Sequence, residues 1–207
     1  MRKLVILGVL SIILISACKK DNKIIEIVNE PTINYNPSTI GSYWIYDHYE
    51  IDEQGNEKLL TVTDSVMITG DTLINNHTYK VYKGTSLNQW NVLYMLKDSG
   101  DYVVDSDGMI FLSTSNYTDT LDKGKFGLMT YSFKMEQPAA AITVPAGSFN
   151  VINYQGTYNT VNPPTGVTYP RYRNNYYTDG IGRIGDSYFY YNNPKNYERR
   201  LVRYNIE

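Results

Sequence analysis

Residues 60–68 alternate strictly: Leu60, Val62, Val66 and Ile68 fall on one parity, Thr61, Thr63, Ser65 and Met67 on the other. A period of two puts an apolar row on one face of a strand and a polar row on the opposite face, the pattern of a half-buried antiparallel sheet. One residue breaks the inner row. Asp64 takes an inward position, so a carboxylate faces the core. No window carries a helical period long enough for an amphipathic helix.

Turn signals at 52–56, Gly70-Asp71, Asn75-Asn76, Ser99-Gly100 and Asp107-Gly108 cut the chain into short extended runs. Strands are expected at 39–51, 60–68, 79–83, 90–96, 102–104, 109–112, 129–135, 149–158, 173–178, 188–191 and 197–205. About ten short strands at regular spacing predict an all-β fold, a curved antiparallel sheet closing to a half-barrel or small barrel with little helix. Residues 113–128 and 159–172 do not fit that spacing and read as long connections, which are either functional or disordered.

The first seventeen residues follow other rules. Arg2 and Lys3 give a positive start, residues 4–15 are uncharged, and Ser16 and Ala17 are small. A helix over the uncharged run reaches about 18 Å, short of a hydrocarbon core of roughly 30 Å, so it is a signal rather than a span. Ile15-Ser16-Ala17-Cys18 resembles the lipobox of bacterial lipoproteins. That resemblance implies cleavage before Cys18 and acylation of both its thiol and its new amine, an anchor of more than one chain and therefore stable. The expected organisation is a signal peptide at 1–17, lipidated Cys18 with a flexible tether to 38, and a single β domain at 39–207.

Lys19, rather than Asp, follows the cysteine, which resembles outer-membrane lipoproteins of Gram-negative bacteria. Lys19-Lys20-Asp21 also resembles a short signal for the cell surface, so the periplasmic face and the surface both stay open. Cys18 is the only cysteine, so an exported domain here has no disulfide and must be held by its own core.

Losing Arg2 and Lys3 takes the formal charge from −2 to −4, and no basic block follows Lys23. The electrostatic footprint of a nucleic-acid binder is missing. Tyrosine is the outlier, 21 residues against 5 Phe and 2 Trp. Its polar-tipped ring suits half-buried sheets and contact surfaces alike. Tyr172, Tyr176, Tyr177, Tyr188, Tyr190 and Tyr191, interleaved with Arg171, Arg173 and Arg183, suggest a surface for a glycan or a partner protein. The rival account is ordinary packing.

Catalytic signals are sparse. His48 shares a strand face with Trp44, Tyr46 and Glu50, and His77 lies in an Asn-rich turn; neither has a His or Cys neighbour at zinc-ligand spacing. No Ser sits in a Gly-flanked nucleophile turn. Asp105-Ser106-Asp107-Gly108 lacks the first and twelfth ligands of a calcium loop and reads as a turn. No metal and no cofactor are expected.

Val144-Pro145-Ala146-Gly147-Ser148-Phe149, Tyr176-Tyr177-Thr178-Asp179-Gly180-Ile181-Gly182-Arg183-Ile184 and Gly41-Ser42-Tyr43-Trp44-Ile45-Tyr46 resemble segments of uncharacterised Gram-negative envelope lipoproteins. The resemblance implies an architecture similar to the half-barrel of periplasmic lipoprotein carriers, a curved sheet around an apolar hollow. Asp64-Ser65-Val66, Asp71-Thr72-Leu73 and Asp119-Thr120-Leu121 resemble an O-glycan sequon of some envelope systems, which implies modification at Ser65, Thr72 and Thr120. The function expected is non-catalytic binding of a ligand, glycan or partner protein, with Trp44, Tyr46, Trp90, Tyr176 and Tyr177 as candidate binding residues. The alternatives are a structural part of a surface complex, or a hydrolase revealed by a His–acid pair in a cleft.

Overall fold

The computed structural model describes residues 33–86 and 89–207, the side chains of 86, 89–93 and 138–140 excepted. The signal, Cys18, residues 19–32 and the side chain of Trp90 lie outside the described residues. Among those described, thirteen strands form one antiparallel sheet and there is no helix.

The strands are β1 (Tyr43–Ile51), β2 (Glu57–Ile74), β3 (His77–Ser86), β4 (Gln89–Ser99), β5 (Tyr102–Asp105), β6 (Ile110–Ser113) and β7 (Asp122–Phe126). There follow β8 (Met129–Val144), β9 (Gly147–Thr160), β10 (Arg171–Arg173), β11 (Asn175–Thr178), β12 (Gly182–Phe189) and β13 (Asn196–Asn205). Their order in the sheet is β6-β5-β4-β3-β2-β1-β13-β12-β11-β9-β8-β7, with β10 added to β9. Pairing of β1 with β13 joins two meanders, and the sheet curls into a barrel with one unsealed seam. The strands at its two ends are β6 and β7. Across the seam Ser113 N–H on β6 donates to Met135 Sδ on β8 at 3.3 Å.

The expected all-β barrel is present, and its core is the inward row of each strand. Ile68, Leu112, Met135, Ile152, Ile184 and Leu201 are at most 1 % exposed. Each such side chain contributes about 1.5–3 kcal/mol through removal from water.

Departures from the sequence reading have local causes. Gly70 and Asp71 do not turn the chain; β2 runs on through a register shift between Ile68 and Gly70, so the glycine marks a bulge. Strand β8 extends past Pro138 because the shifts at Glu136/Ala139 and Ala139/Ile142 absorb a residue that cannot donate to the ladder. Strand β12 begins at Gly182, earlier than the tyrosines suggested. At Gly185 a Cβ would lie 2.9 Å from Arg199 O, so a residue that weakens the strand signal lets two strands approach closely. Residues 113–128 are not one long connection, since they contain β7.

Residues 34–37, read as the end of the tether, pack on the domain. Asn34 N–H donates to Asp179 Oδ1 at 2.7 Å, and Gly180 N–H to Asn34 O at 2.9 Å. The Tyr82 hydroxyl donates to Asn36 Oδ1 at 3.0 Å, and Pro37 is buried. Pro37 Cδ lies 3.2 Å from the position a Cβ on Gly182 would take, and φ there is +89°. Only glycine fits both conditions without strain.

Candidate functional site

Strand β1 places Trp44, Tyr46 and His48 on the inner face by simple alternation. Register shifts between Ile45 and Tyr46 against β13, and between Asp47 and Tyr49 against β2, adjust their aim. Asp64 projects inward from β2 and Arg199 from β13. On β12 an irregularity sets Gly185 against Tyr176 and Arg183 against Tyr177. That shift changes the inside–outside phase, so Arg183 and Asp186 line one hollow although their positions have opposite parity.

These side chains form a buried ionic chain. His48 Nε2 lies 2.9 Å from Asp64 Oδ2, and His48 Nδ1 lies 3.2 Å from the Tyr188 hydroxyl. Arg199 donates to Asp186 Oδ2 through Nε at 2.9 Å and also through Nη2, with Nη1 3.6 Å from Asp64 Oδ2. Arg183 Nη1 stands 3.6 Å from the same Asp186 oxygen. The Arg199 guanidinium lies over the Tyr46 ring, 4.7 Å from its centroid. Burial works to raise the Asp186 carboxyl, but the Arg199 and Arg183 charges outweigh it and hold the group below the usual carboxylate range. Burial pushes the Tyr46, Tyr177 and Tyr188 hydroxyls up, so they stay protonated.

Two neighbouring cavities share Tyr94, Arg183 and Arg199. The smaller, about 50 Å³, is apolar: Trp44, Tyr46, Tyr82, Leu96 and Tyr177 line it, with Tyr35, Asn36 and Pro37 against it. The larger, about 320 Å³, is polar, and its wall includes His48, Arg173, Arg183, Asp186, Tyr188 and Arg199. Tyr158 and Phe189 add ring faces, and Phe126, 68 % exposed, also borders it.

The candidate residues divide. Trp44, Tyr46 and Tyr177 come together at the apolar cavity. Tyr176 does not join them and borders a separate depression beside Ile142, Glu198 and Arg200, where burial pushes its hydroxyl up to about 12. Of the two accounts of the Tyr/Arg segment, packing describes most of it. Only Tyr172 and Tyr190 are substantially exposed, while Arg173, Arg183 and Tyr188 turn into the hollow. Ser65 and Thr120 are exposed and Thr72 is half-buried. Sequence reasoning left Arg173, Arg183 and Tyr188 between a contact surface and ordinary packing, and missed Asp186 and Arg199. The signal for the missing charges was Asp64 itself, since a buried carboxylate requires partners.

No protein-family model matches the chain, and no curated protein matches it in sequence. The fold is similar to the crystal structure of a protein from Bacteroides fragilis described as exported and having a YmcC-like fold. The TM-score is 0.54 at 14 % identity, over 84 % of this chain and 99 % of that one. A protein from Parabacteroides distasonis described as a lipoprotein aligns over 85 % of this chain and 100 % of its own, with TM-score 0.45 at 13 % identity. At 14 % identity the first likeness is one of fold alone.

Proposed function

We propose that this chain is an outer-membrane lipoprotein that holds a small ligand inside its barrel without transforming it. The anchor rests on the lipobox at Cys18, and export is in keeping with the description of the Bacteroides fragilis relative in fold. Binding rests on one observation: a cavity of about 320 Å³ walled by fixed charges and aromatic rings. Ligand sites run from about 300 to 1,000 Å³ and combine apolar walls with a few placed polar groups. Arg199, Asp186, Asp64 and His48 are at most 8 % exposed, so packing sets their positions before any ligand arrives.

The His48–Asp64 pair is the arrangement that would favour a hydrolase. Here both ring nitrogens are engaged, one by Asp64 and the other by the Tyr188 hydroxyl. The hydroxyl beside the ring is a phenol that burial keeps protonated, not a Ser, Thr or Cys nucleophile, which supports a binding role. The test is to pass the native protein through an extract of its host's envelope and analyse what it retains after gel filtration. A small molecule that stays with the folded protein and leaves on unfolding is expected. Protein emerging with nothing bound overturns the reading.

A further inference from the structure

Two arginines in the polar hollow differ from the rest. Arg171 shows how this protein satisfies a structural guanidinium: it donates to Tyr190 O, Asn193 O, Lys195 O and Asn196 Oδ1. Arg199 is likewise engaged, by Asp186 and Asp64. Arg173 and Arg183 are not. Among the described residues neither donates a side-chain hydrogen bond, and Arg173 Nε is buried with no acceptor. The carboxylate oxygen nearest Arg183, on Asp186, is 3.6 Å away and already accepts from Arg199.

The charges around the hollow do not cancel. Arg173, Arg183 and Arg199 face Asp186, with Asp64 engaged by His48 and Arg199, which leaves one positive charge in excess. Both side chains are only partly buried, yet Arg173 Nε is shielded from water with no acceptor, and a planar oxyanion offsets that cost by accepting two parallel N–H bonds. Beside these forks the wall is apolar, formed by the rings of Tyr94, Tyr158 and Phe189.

We infer that the hollow takes an organic anion, a carboxylate or phosphate group on an apolar body, with Arg173 and Arg183 as the groups that recognise its charged end. This deepens the ligand-binding reading and rests on it. A cation would meet the uncompensated charge, and a neutral amphiphile would offer only an uncharged acceptor, a weaker partner for a guanidinium.

Matched probes test it: 4-phenylbutyrate, 4-phenylbutyl phosphate, 4-phenylbutan-1-ol and 4-phenylbutylamine, titrated calorimetrically into the whole chain in lipid nanodiscs with empty nanodiscs as the blank. At least one anion should bind roughly tenfold or more tightly than the alcohol and the amine, as expected for hydrogen bonds to a charged group. Which anion binds separates a carboxylate ligand from a phosphate one. Arg173→Met and Arg183→Met should each remove that preference, while Arg173→Lys keeps part of it. The comparison among probes on the unaltered protein stands even if a variant fails to fold. If the alcohol binds as well as the anions, this inference falls and the hollow remains a ligand site. If none of the four binds, the inference falls together with the reading beneath it.

Discussion

His48 and Asp64 meet across neighbouring strands with Nε2 2.9 Å from Oδ2, His48 being 1 % exposed and Asp64 0 %. The β1–β2 ladder skips His48 at the irregularity between Asp47 and Tyr49, where the ring leans toward β2, while His48 stays paired with Arg199 in the β13 ladder. Through Arg199 the pair continues to Asp186, so one carboxylate ties β1, β2, β12 and β13 together. Removing it leaves a histidine and an arginine buried with a partner missing. Asp64→Ala should therefore cost about 3–5 kcal/mol, the range for breaking a buried ion pair from one side. Urea denaturation followed by tryptophan fluorescence measures this, and a loss below 1 kcal/mol would show that the pair adds little to the barrel.

Asp186 makes stability depend on pH. Its folded value lies below the unfolded one because Arg199 and Arg183 overcome the effect of burial. Stability from this group is fully present above the unfolded value of about 3.9 and drains as pH falls through the lower folded value. Denaturation midpoints should thus decline below about pH 4. Asp186→Asn should be less stable at neutral pH and show a flatter decline in acid. An unchanged slope in that variant refutes the assignment.

Gly182→Ala tests the packing of residues 34–37. The substitution meets Pro37 and forces an L residue to positive φ, a cost on the order of 1–2 kcal/mol. Faster hydrogen exchange is expected at the Gly180 amide, which donates to Asn34 O. Amides of β1 and β13 should change less, and uniform acceleration would point to global destabilisation instead.

Anchoring is tested at Cys18. Cys18→Ala should abolish incorporation of a palmitate analogue and leave uncut precursor or a soluble form, whereas label persisting in that variant would remove the lipobox assignment.

Ser65 and Thr120 are exposed, and Thr72 less so, which leaves room for a sugar at the first two. Intact mass of protein from its native host should exceed that of the lipidated polypeptide. The increment should fall in a Ser65→Ala, Thr72→Ala, Thr120→Ala variant. A mass equal to the lipidated polypeptide alone ends the idea.

Local alternation in residues 60–68, the turn chemistry of Asn75-Asn76 and the lack of any helical period determined the all-β class, because side-chain direction in a strand depends only on parity. Asn75 and Asn76 do take positive φ, +50° and +63°, as a tight hairpin requires. Parity also set Trp44, Tyr46, His48 and Asp64 on inner faces. Parity fails at a bulge, which is invisible in a single strand and arises from the register of its neighbour. Arg183 is the clearest case: its inward turn follows from the pairing of β11 with β12. The meeting of His48 and Asp64 with Arg199 and Asp186 likewise needed β1 to close on β13, which brings together residues more than a hundred positions apart. Sequence could say that Asp64 needed a cation, but only the closed sheet decided which one.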